Sequence, residues 1–586
     1  MSFASDALAQ SDMPAMRRTF GGLADDNQVD DRTVDSIRSM RQDASSPYAR
    51  PVPGSSRKGG NPVLFLVGNS TMRTGTKGDG SNGQWGWGAF ACEWFDEERI
   101  TVENHALGGT SSRTFYNDLW PAVRKGIRPG DYVIIELGHN DNGPYDSFTA
   151  RASIPGIDPD TMLVVDLHDC RNRDWNGRRD TVYSYGQYMR MFINDVRARG
   201  GYPIISSLTP RNAWDNDSTV TRKLETFTRW GKAVAEEMQC PWIDLEGVAA
   251  GRMETAGHWT TSSFFTVLDK IHTSRFGARH NAMCAALAIM ASPGCELKQY
   301  LKSPLAVKSV YPKRKPGCPV VFLCGDSTGQ NEDRDTTGMW GWGSQMPLVF
   351  NTDVCTVYNA AKAGRSTRTY INEDRWLQVY NALQPGDIVF LQFGHNDIGG
   401  INTQKERGVI ACSADTSHCY KLQDGSFELV YSFGWYLKKM VHDAREKGAT
   451  PVLVSLTPRN IWPEPGEARP TDDSNGPCIE RRNDSYGKWY REVIEWFRNE
   501  EGYELAFIDV HNITADYLDR LGKGGAAKYY NHDHTHTSLL GAQLNAYSIQ
   551  QGMRSLGYDH LLTKDSNVRK QLKATEKVLT LKSAKK

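Results

Sequence analysis

The sequence predicts two tandem α/β domains, each a doubly wound parallel sheet of about five strands with helices on both faces. Three observations carry that expectation: an ordered internal repeat, short apolar runs alternating with amphipathic stretches, and motifs that stand just after those runs. The repeat comes first, because it divides the chain without any structural assumption. Pro-Val-Leu-Phe-Leu-Val-Gly-Asn-Ser-Thr at 62–71 matches Pro-Val-Val-Phe-Leu-Cys-Gly-Asp-Ser-Thr at 319–328. Trp-Gly-Trp-Gly recurs at 85 and 340, Gly-His-Asn-Asp at 138 and 394, Ser-Leu-Thr-Pro-Arg-Asn at 207 and 455, and His-Thr-Ser at 272 and 536. Five matches in one order, about 250 residues apart, are too widely spaced for a solenoid unit and describe two duplicated domains. The boundaries follow: a flexible N-terminal arm over 1–60, a first domain over 61–304, a second over 305–563, and a basic C-terminal tail over 564–586, solvated or a frayed helix.

Within the first copy, Val63–Val67, Ile100–Ala106, Tyr132–Leu137, Tyr202–Leu208 and Trp242–Leu245 are short apolar runs, several rich in β-branched residues, as expected for parallel strands buried on both faces. The second copy repeats them at Val320–Cys324, Thr356–Ala361, Ile388–Phe393, Val452–Leu456 and Ala506–Val510. Amphipathic stretches at Ser184–Arg199 and Ser218–Met238, the latter opened by Asp217 or Ser218 as a cap, supply the intervening helices.

Composition narrows the function. Lys and Arg number 69 and Asp and Glu number 69, a balance that argues against a protein built mainly to neutralise nucleic-acid phosphates. No run approaches the roughly 20 apolar residues of a spanning helix, and the first residues show no export segment. The 11 cysteines are scattered without zinc-ribbon spacing, and Cys412 and Cys419 are read as ordinary thiols, with a short disulfide-closed loop as the alternative in an oxidising compartment. His532-Asp-His534-Thr-His536 invites a zinc reading, but the first copy keeps only Asp269 and His272 there, so no metal and no cofactor is expected. Gly78-Asp-Gly80-Ser-Asn-Gly83 matches a dinucleotide fingerprint in spelling, yet it stands in a polar loop rather than after a strand.

In doubly wound sheets ligands bind beyond the carboxyl ends of the strands, where the repeated motifs lie. Ser70 and Ser327 follow the first strand of each copy, at a turn from which a hydroxyl can project as a nucleophile. A serine nucleophile needs a base and an acid that orients it, and Asp269–His272 and Asp533–His536 provide both at the spacing Asp-x-x-His. The oxyanion of a tetrahedral intermediate needs donors. Asn140 and Asn396 offer side-chain amides, Gly109 and Gly364 backbone N–H groups that a substrate can approach closely, and each serine its own N–H.

Ser, Gly, Asn and His in this order resemble the four blocks of the SGNH (GDSL-type) hydrolase superfamily. Gly-Asp-Ser-Thr, Asn-x-Ala-x-x-Gly-Arg-Ser-x-Arg-x-Tyr, Gly-His-Asn-Asp and the final Asp-x-x-His-Thr are similar to rhamnogalacturonan acetylesterases among carbohydrate esterases. The resemblance implies flavodoxin-like domains, a carbohydrate O-acetylesterase acting on an acetylated polysaccharide or oligosaccharide, and a periplasmic or secreted location. Because a pectic backbone carries uronic acids, Arg113 and Arg211 in the first copy and Arg365, Arg368 and Arg459 in the second become candidate substrate-binding residues. The alternative role for these arginines is to bridge loops to nearby acids. The copies differ at Asn69 against Asp326 and at Thr110 against Arg365, which leaves open a different substrate, such as acetylated xylan, or a non-catalytic carbohydrate-binding copy.

Overall fold

The computed structural model describes residues 50–74, 80, 83–222, 226–266, 269–302, 308–330, 338–423, 427–462, 478–480, 486–531 and 533–583. The chain forms two compact units whose main bodies divide between Ala306 and Val307. In the first, β1 (Val63–Gly68), β2 (Thr101–Asn104), β3 (Tyr132–Glu136), β6 (Tyr202–Ser206) and β9 (Trp242–Ile243) form one sheet in the order β2-β1-β3-β6-β9, every pair parallel. In the second, β10 (Val320–Gly325), β11 (Thr356–Asn359), β12 (Ile388–Gln392), β15 (Thr450–Val454) and β16 (Ala506–Ile508) repeat it as β11-β10-β12-β15-β16, again all parallel.

Side chains alternate across a strand, and that alternation builds two cores per sheet. Leu64, Leu66, Ile134 and Ile204 pack on one face of the first sheet, with the helix Arg275–Ala291. Val63, Phe65, Val67, Val133, Ile135 and Ile205 pack on the other, against the helix Tyr185–Ala198. Both faces are therefore covered, as the uninterrupted apolar runs require.

The structure differs from the sequence-based expectations in four places. The amphipathic stretch after Ser218 is not one helix: Trp214–Asn216 and Thr219–Val220 pair as β7 and β8, and the helix spans Phe227–Glu237. Two antiparallel hairpins also stand outside the sheets, β4 (Met162–Asp166) with β5 (Arg179–Tyr183), and β13 (Ser417–Lys421) with β14 (Phe427–Tyr431). Three of the four strands interrupt their apolar residues with polar ones, and β4, Met-Leu-Val-Val-Asp, is an apolar run that stands mostly exposed instead of buried in a sheet.

The ends of the copies are the other two corrections. Residues 50–60, expected in a flexible arm, are fastened to the first sheet: Gly54 and Ser56 donate backbone N–H bonds to Glu103, each at 2.8 Å, and Arg57 holds Asp131. The remainder of that arm, residues 1–49, lies outside the described residues. Residues expected in a solvated tail or frayed helix form the helix Asp565–Ser583, which is packed rather than frayed, since its Val568 and Leu572 join the second core.

The same anchor enters each sheet. Asp131 is fully buried and accepts from Val63 N (2.8 Å), Arg128 N (2.7 Å) and the Arg57 guanidinium (2.6 Å), so one carboxylate ties the start of β1 to the start of β3. Asp387 does so with Val320 N (2.8 Å), Gln384 N (2.8 Å) and Arg314 (2.9 and 2.6 Å). Replacing Asp131 with Ala strands the Arg57 charge and two backbone donors. It should lower the stability of the first unit by about 3–5 kcal/mol in chemical denaturation, whereas a loss under about 1 kcal/mol would show that the anchor is dispensable.

Candidate active site

β1 and β10 each end in a glycine, and the chain turns immediately after it, which brings Ser70 and Ser327 to the carboxyl edge of the sheet in half-buried positions. The final loop of each unit brings the histidine to the same edge. His272 Nε2 lies 2.8 Å from Ser70 Oγ, and its Nδ1 lies 2.6 Å from Asp269 Oδ2. In the second unit His536 Nε2 is 2.9 Å from Ser327 Oγ, and Nδ1 is 2.6 Å from Asp533 Oδ2. With Nδ1–H donating to the carboxylate, Nε2 is left as the acceptor for the serine hydroxyl, the tautomer a general base needs.

Each acid is tied down by the backbone that follows it. Asp269 Oδ1 accepts from Ile271 N and His272 N, both at 2.7 Å; Asp533 Oδ1 accepts from Thr535 N at 2.6 Å and His536 N at 2.7 Å. Burial works to raise both carboxyls, but hydrogen bonds from the histidine side chain and backbone outweigh it. Asp269 sits below the ordinary range and Asp533 falls to about 2, so both are ionised beside their histidines.

The loop carrying the histidine is itself clamped. Thr273 Oγ1 donates to Trp85 O at 2.6 Å and Trp85 N donates to Thr273 O at 2.9 Å; Thr537 and Trp340 repeat both bonds at 2.6 and 2.9 Å. The neighbouring tryptophans, Trp87 and Trp342, are buried packing anchors. Behind the loop, Gly277 and Gly541 allow the last helix to pass close to the chain. A Cβ at Gly277 would stand 1.9 Å from Phe264 O, and one at Gly541 2.0 Å from Tyr529 O.

The predicted oxyanion donors stand in the loops that follow the second and third strands of each copy. Gly109 and Gly364 both adopt φ +78°, a conformation open to glycine at little cost, and the adjacent Gly108 approaches the Ser70 side chain. Asn140 Nδ2 donates to Thr110 O at 3.0 Å, and Asn396 Nδ2 to Arg365 O at 3.1 Å, which orients each amide beside the glycine loop.

The arginines divide. Arg113 and Arg368 are fully buried. Arg113 bonds Asp180 (2.9 and 2.7 Å) and Tyr145 O (2.7 Å), and Arg368 bonds Ile401 O (2.9 Å) and Gly408 O (3.1 Å), so these two brace loops and present no cation to a substrate. Arg365 is partly exposed and pairs with Glu373 at 2.9 Å. Arg211 and Arg459 remain beside the histidine loop, where Asn212 N holds Lys270 O at 2.8 Å and Asn460 N holds His534 O at 2.7 Å. Arg211 Nε is buried without a hydrogen-bond partner among the described residues.

Three pairs escaped the sequence reading. Asn104 and Asn359 donate to Met72 O (3.0 Å) and Gly329 O (2.9 Å), tying the second strand to the serine turn; the Asn-x-Ala spelling in both copies was their signal. Arg151 and Arg407 reach the carbonyls of Gly109 and Gly364 at 3.2 and 3.4 Å, from loops with little motif around them. Asp141 and Asp397 close Gly-His-Asn-Asp from within, accepting Ser112 N (3.1 Å) and Thr367 N (3.0 Å) at the start of the helix after the glycine loop. Among the described residues no cluster could hold a metal ion, and His532 lies outside them, as do most residues of the 78–83 stretch. All 11 cysteines, Cys412 and Cys419 included, are free thiols.

Two α/β sheets, each with Ser, Gly, Asn and Asp–His gathered at its carboxyl edge, define an SGNH-type fold present twice. A family profile confirms the class: the chain belongs to the GDSL-like lipase/acylhydrolase family, which matches residues 66–279 and again 323–544. It is 29% identical over 227 residues to a rhamnogalacturonan acetylesterase of Emericella nidulans, a match covering 39% of this chain and 81% of that protein. It is 28% identical over 260 residues to a rhamnogalacturonan acetylesterase of Bacillus subtilis, covering 42% of this chain and 95% of that one. Among solved structures, an acetylxylan esterase from Geobacillus stearothermophilus matches at 14% identity over 40% of this chain and 93% of its own, with a TM-score of 0.25. No described helix is long and apolar enough to cross a membrane.

Burial pushes Asp141 up to about 6, against the hydrogen bonds from Ser112, and Asp397 up to about 7, against those from Thr367. Below about pH 4 both folded and unfolded chains hold the Asp141 proton; between there and about 6 the unfolded chain releases it while the fold retains it. Stability contributed by this group therefore falls as pH rises through that window. Asp141→Asn should flatten the pH dependence of the denaturation midpoint between about pH 4 and 6. An unaltered slope would mean that Asp141 does not titrate there.

Proposed function

We propose that this chain is a carbohydrate O-acetylesterase with a Ser-His-Asp triad in each copy, acting on acetylated plant cell-wall polysaccharide of the pectic rhamnogalacturonan type. The observation that carries the reading is the unbroken hydrogen-bonded chain from serine through histidine to aspartate, formed twice with nearly the same distances. The named relatives support the substrate class, each matching about one copy's length of this chain. A polymer of that kind is met outside the cytoplasm, so periplasmic or secreted placement is part of the proposal.

In this mechanism His272 or His536 takes the serine proton as Oγ attacks the acetyl carbonyl, and Asp269 or Asp533 steadies the imidazolium that forms. The glycine N–H, the asparagine amide and the serine N–H receive the oxyanion, whose charge exists only in the tetrahedral state and its flanking transition states. The imidazolium then protonates the departing sugar hydroxyl, and water, deprotonated by the same histidine, releases acetate from the serine. Arg211, Arg365 and Arg459 at the rim would attract the uronate carboxylates that flank an acetylated sugar.

The double variant Ser70→Ala, Ser327→Ala should lose several powers of ten in turnover of a chromogenic acetyl ester, while each single variant retains the other copy's activity. Full activity in the double variant would sink the serine mechanism, and complete loss in one single variant would assign all activity to that copy. For the substrate class, added salt should slow deacetylation of acidic pectic fragments much more than hydrolysis of a small neutral acetyl ester. Equal salt sensitivity, or a clear preference for acetylated xylan, would overturn the pectic assignment and leave the esterase chemistry standing.

A further inference from the structure

Beneath the serine turn the two copies are wired differently around the same number of buried acids. In the first copy the residue before the serine is Asn69, and the acid lies one strand over, at Glu136 on β3. In the second the order is reversed: Asp326 precedes the serine, and β12 carries Gln392. All four side chains are at most 1% exposed. The two positions adjoin, because the Thr71 hydroxyl lies 3.0 Å from Asn69 Oδ1 and 3.2 Å from Glu136 Oε1.

The exchange extends to the partners. Glu136 meets only donors: Thr209 N at Oε1 (3.0 Å) and Trp87 Nε1 at Oε2 (2.7 Å), besides Thr71. An amide there would face one of those N–H groups with its own NH₂ whichever way it turned. Gln392 instead accepts from Trp342 Nε1 at 2.7 Å and donates to Ser455 O at 2.8 Å. In the first copy the corresponding carbonyl, Ser207 O, takes its bond from the Ser206 hydroxyl at 2.8 Å, and at that position the second copy has Val454. Asp326 likewise meets donors at both oxygens, Thr328 N and Oγ1 at Oδ1 (2.9 and 2.8 Å) and Asn396 Nδ2 at Oδ2 (3.4 Å). Burial raises both acids, Glu136 to about 7. A second carboxyl in the same pocket would meet that cost again with a like charge beside it.

We propose that one buried carboxyl beneath the serine turn is an obligate positioning group of each site, and that Asn69–Glu136–Ser206 and Asp326–Gln392–Val454 are interchangeable sets that supply it. The proposal rests on the reading of Ser70 and Ser327 as nucleophiles. Its effect is on geometry at the reacting atoms, since Thr71 and Thr328, which the acids hold, directly follow the serines, and Asp326 also touches the amide of Asn396.

The test is a mutant cycle in the full chain carrying Ser327→Ala, which leaves the first site as the reporter. Asn69→Asp and Glu136→Gln should each lower kcat on p-nitrophenyl acetate at least tenfold with KM within threefold, well below the unfolding midpoint. The double variant should return to within threefold of the parent, and adding Ser206→Val should hold or improve that recovery. Losses that multiply in the double variant, or single variants with unchanged kcat, would overturn the proposal. Should a first-copy variant fail to fold, Asp326→Asn, Gln392→Glu and their combination in a Ser70→Ala chain run the same cycle in mirror image. If neither the Ser327→Ala nor the Ser70→Ala parent turns over ester, the nucleophile reading fails, and thermal unfolding still decides the wiring. Midpoints lowered by each single change and restored in the double would uphold the exchange, and additive lowering would refute it.

Discussion

The hydrogen bond from the serine hydroxyl to the histidine ring is the constraint on which each unit depends. Ser70 and His272 are 202 residues apart in the chain, and Ser327 and His536 are 209 apart, yet each pair must meet at about 2.8–2.9 Å. A parallel sheet makes that possible because every strand finishes on the same edge. The serine leaves the end of an interior strand, and the histidine arrives on the loop before the helix Arg275–Ala291 or its counterpart Leu539–Ser555. The Trp85–Thr273 and Trp340–Thr537 clamps hold that loop against the segment that follows the serine, so one backbone pairing supports the serine–histidine approach.

Buried carboxyls hold the remaining parts in place. Asp131 and Asp387 register the strand starts, Asp141 and Asp397 fix the glycine loop to the Gly-His-Asn-Asp turn, and Glu136 and Asp326 lie under the serine. In a low-dielectric interior each such group is costly unless its donors are all present, which makes the surrounding geometry all-or-none rather than adjustable. That accounts for the pattern of agreement between the copies. The acids at the strand starts and in the Gly-His-Asn-Asp turns recur as the same residue type, whereas the acid beneath the serine has moved together with its partners.

Much of this was legible in the residues. The strand runs, the order of the motifs and the Asp-x-x-His spacing follow from side-chain periodicity and from local loops, both of which act over a few residues and are printed directly in the chain. Asp269 can bond the backbone of His272 because they are three residues apart, and no tertiary fact is needed to see it. The hairpins β4–β5 and β13–β14 and the split after Ser218 were not legible, since short, partly exposed strands, polar or, like β4, apolar, take their pairing from what lies across from them. The packed ends were hidden for a related reason: the Gly54–Glu103 and Arg57–Asp131 contacts join residues 49 and 74 positions apart.

The amino-acid sequence alone determined that there are two copies, that each is a doubly wound sheet, and which serine, histidine and aspartate belong together, because repetition and periodicity are properties of one dimension. Only the tertiary structure decided which arginines are sealed in, since Arg113 and Arg368 are spent inside on Asp180 and on loop carbonyls while Arg211, Arg365 and Arg459 stay partly exposed. It alone also showed that Asn69 and Glu136 answer Asp326 and Gln392. Whether two polar groups share a donor depends on a separation of a few ångströms between neighbouring strands, and chain order carries no record of that distance.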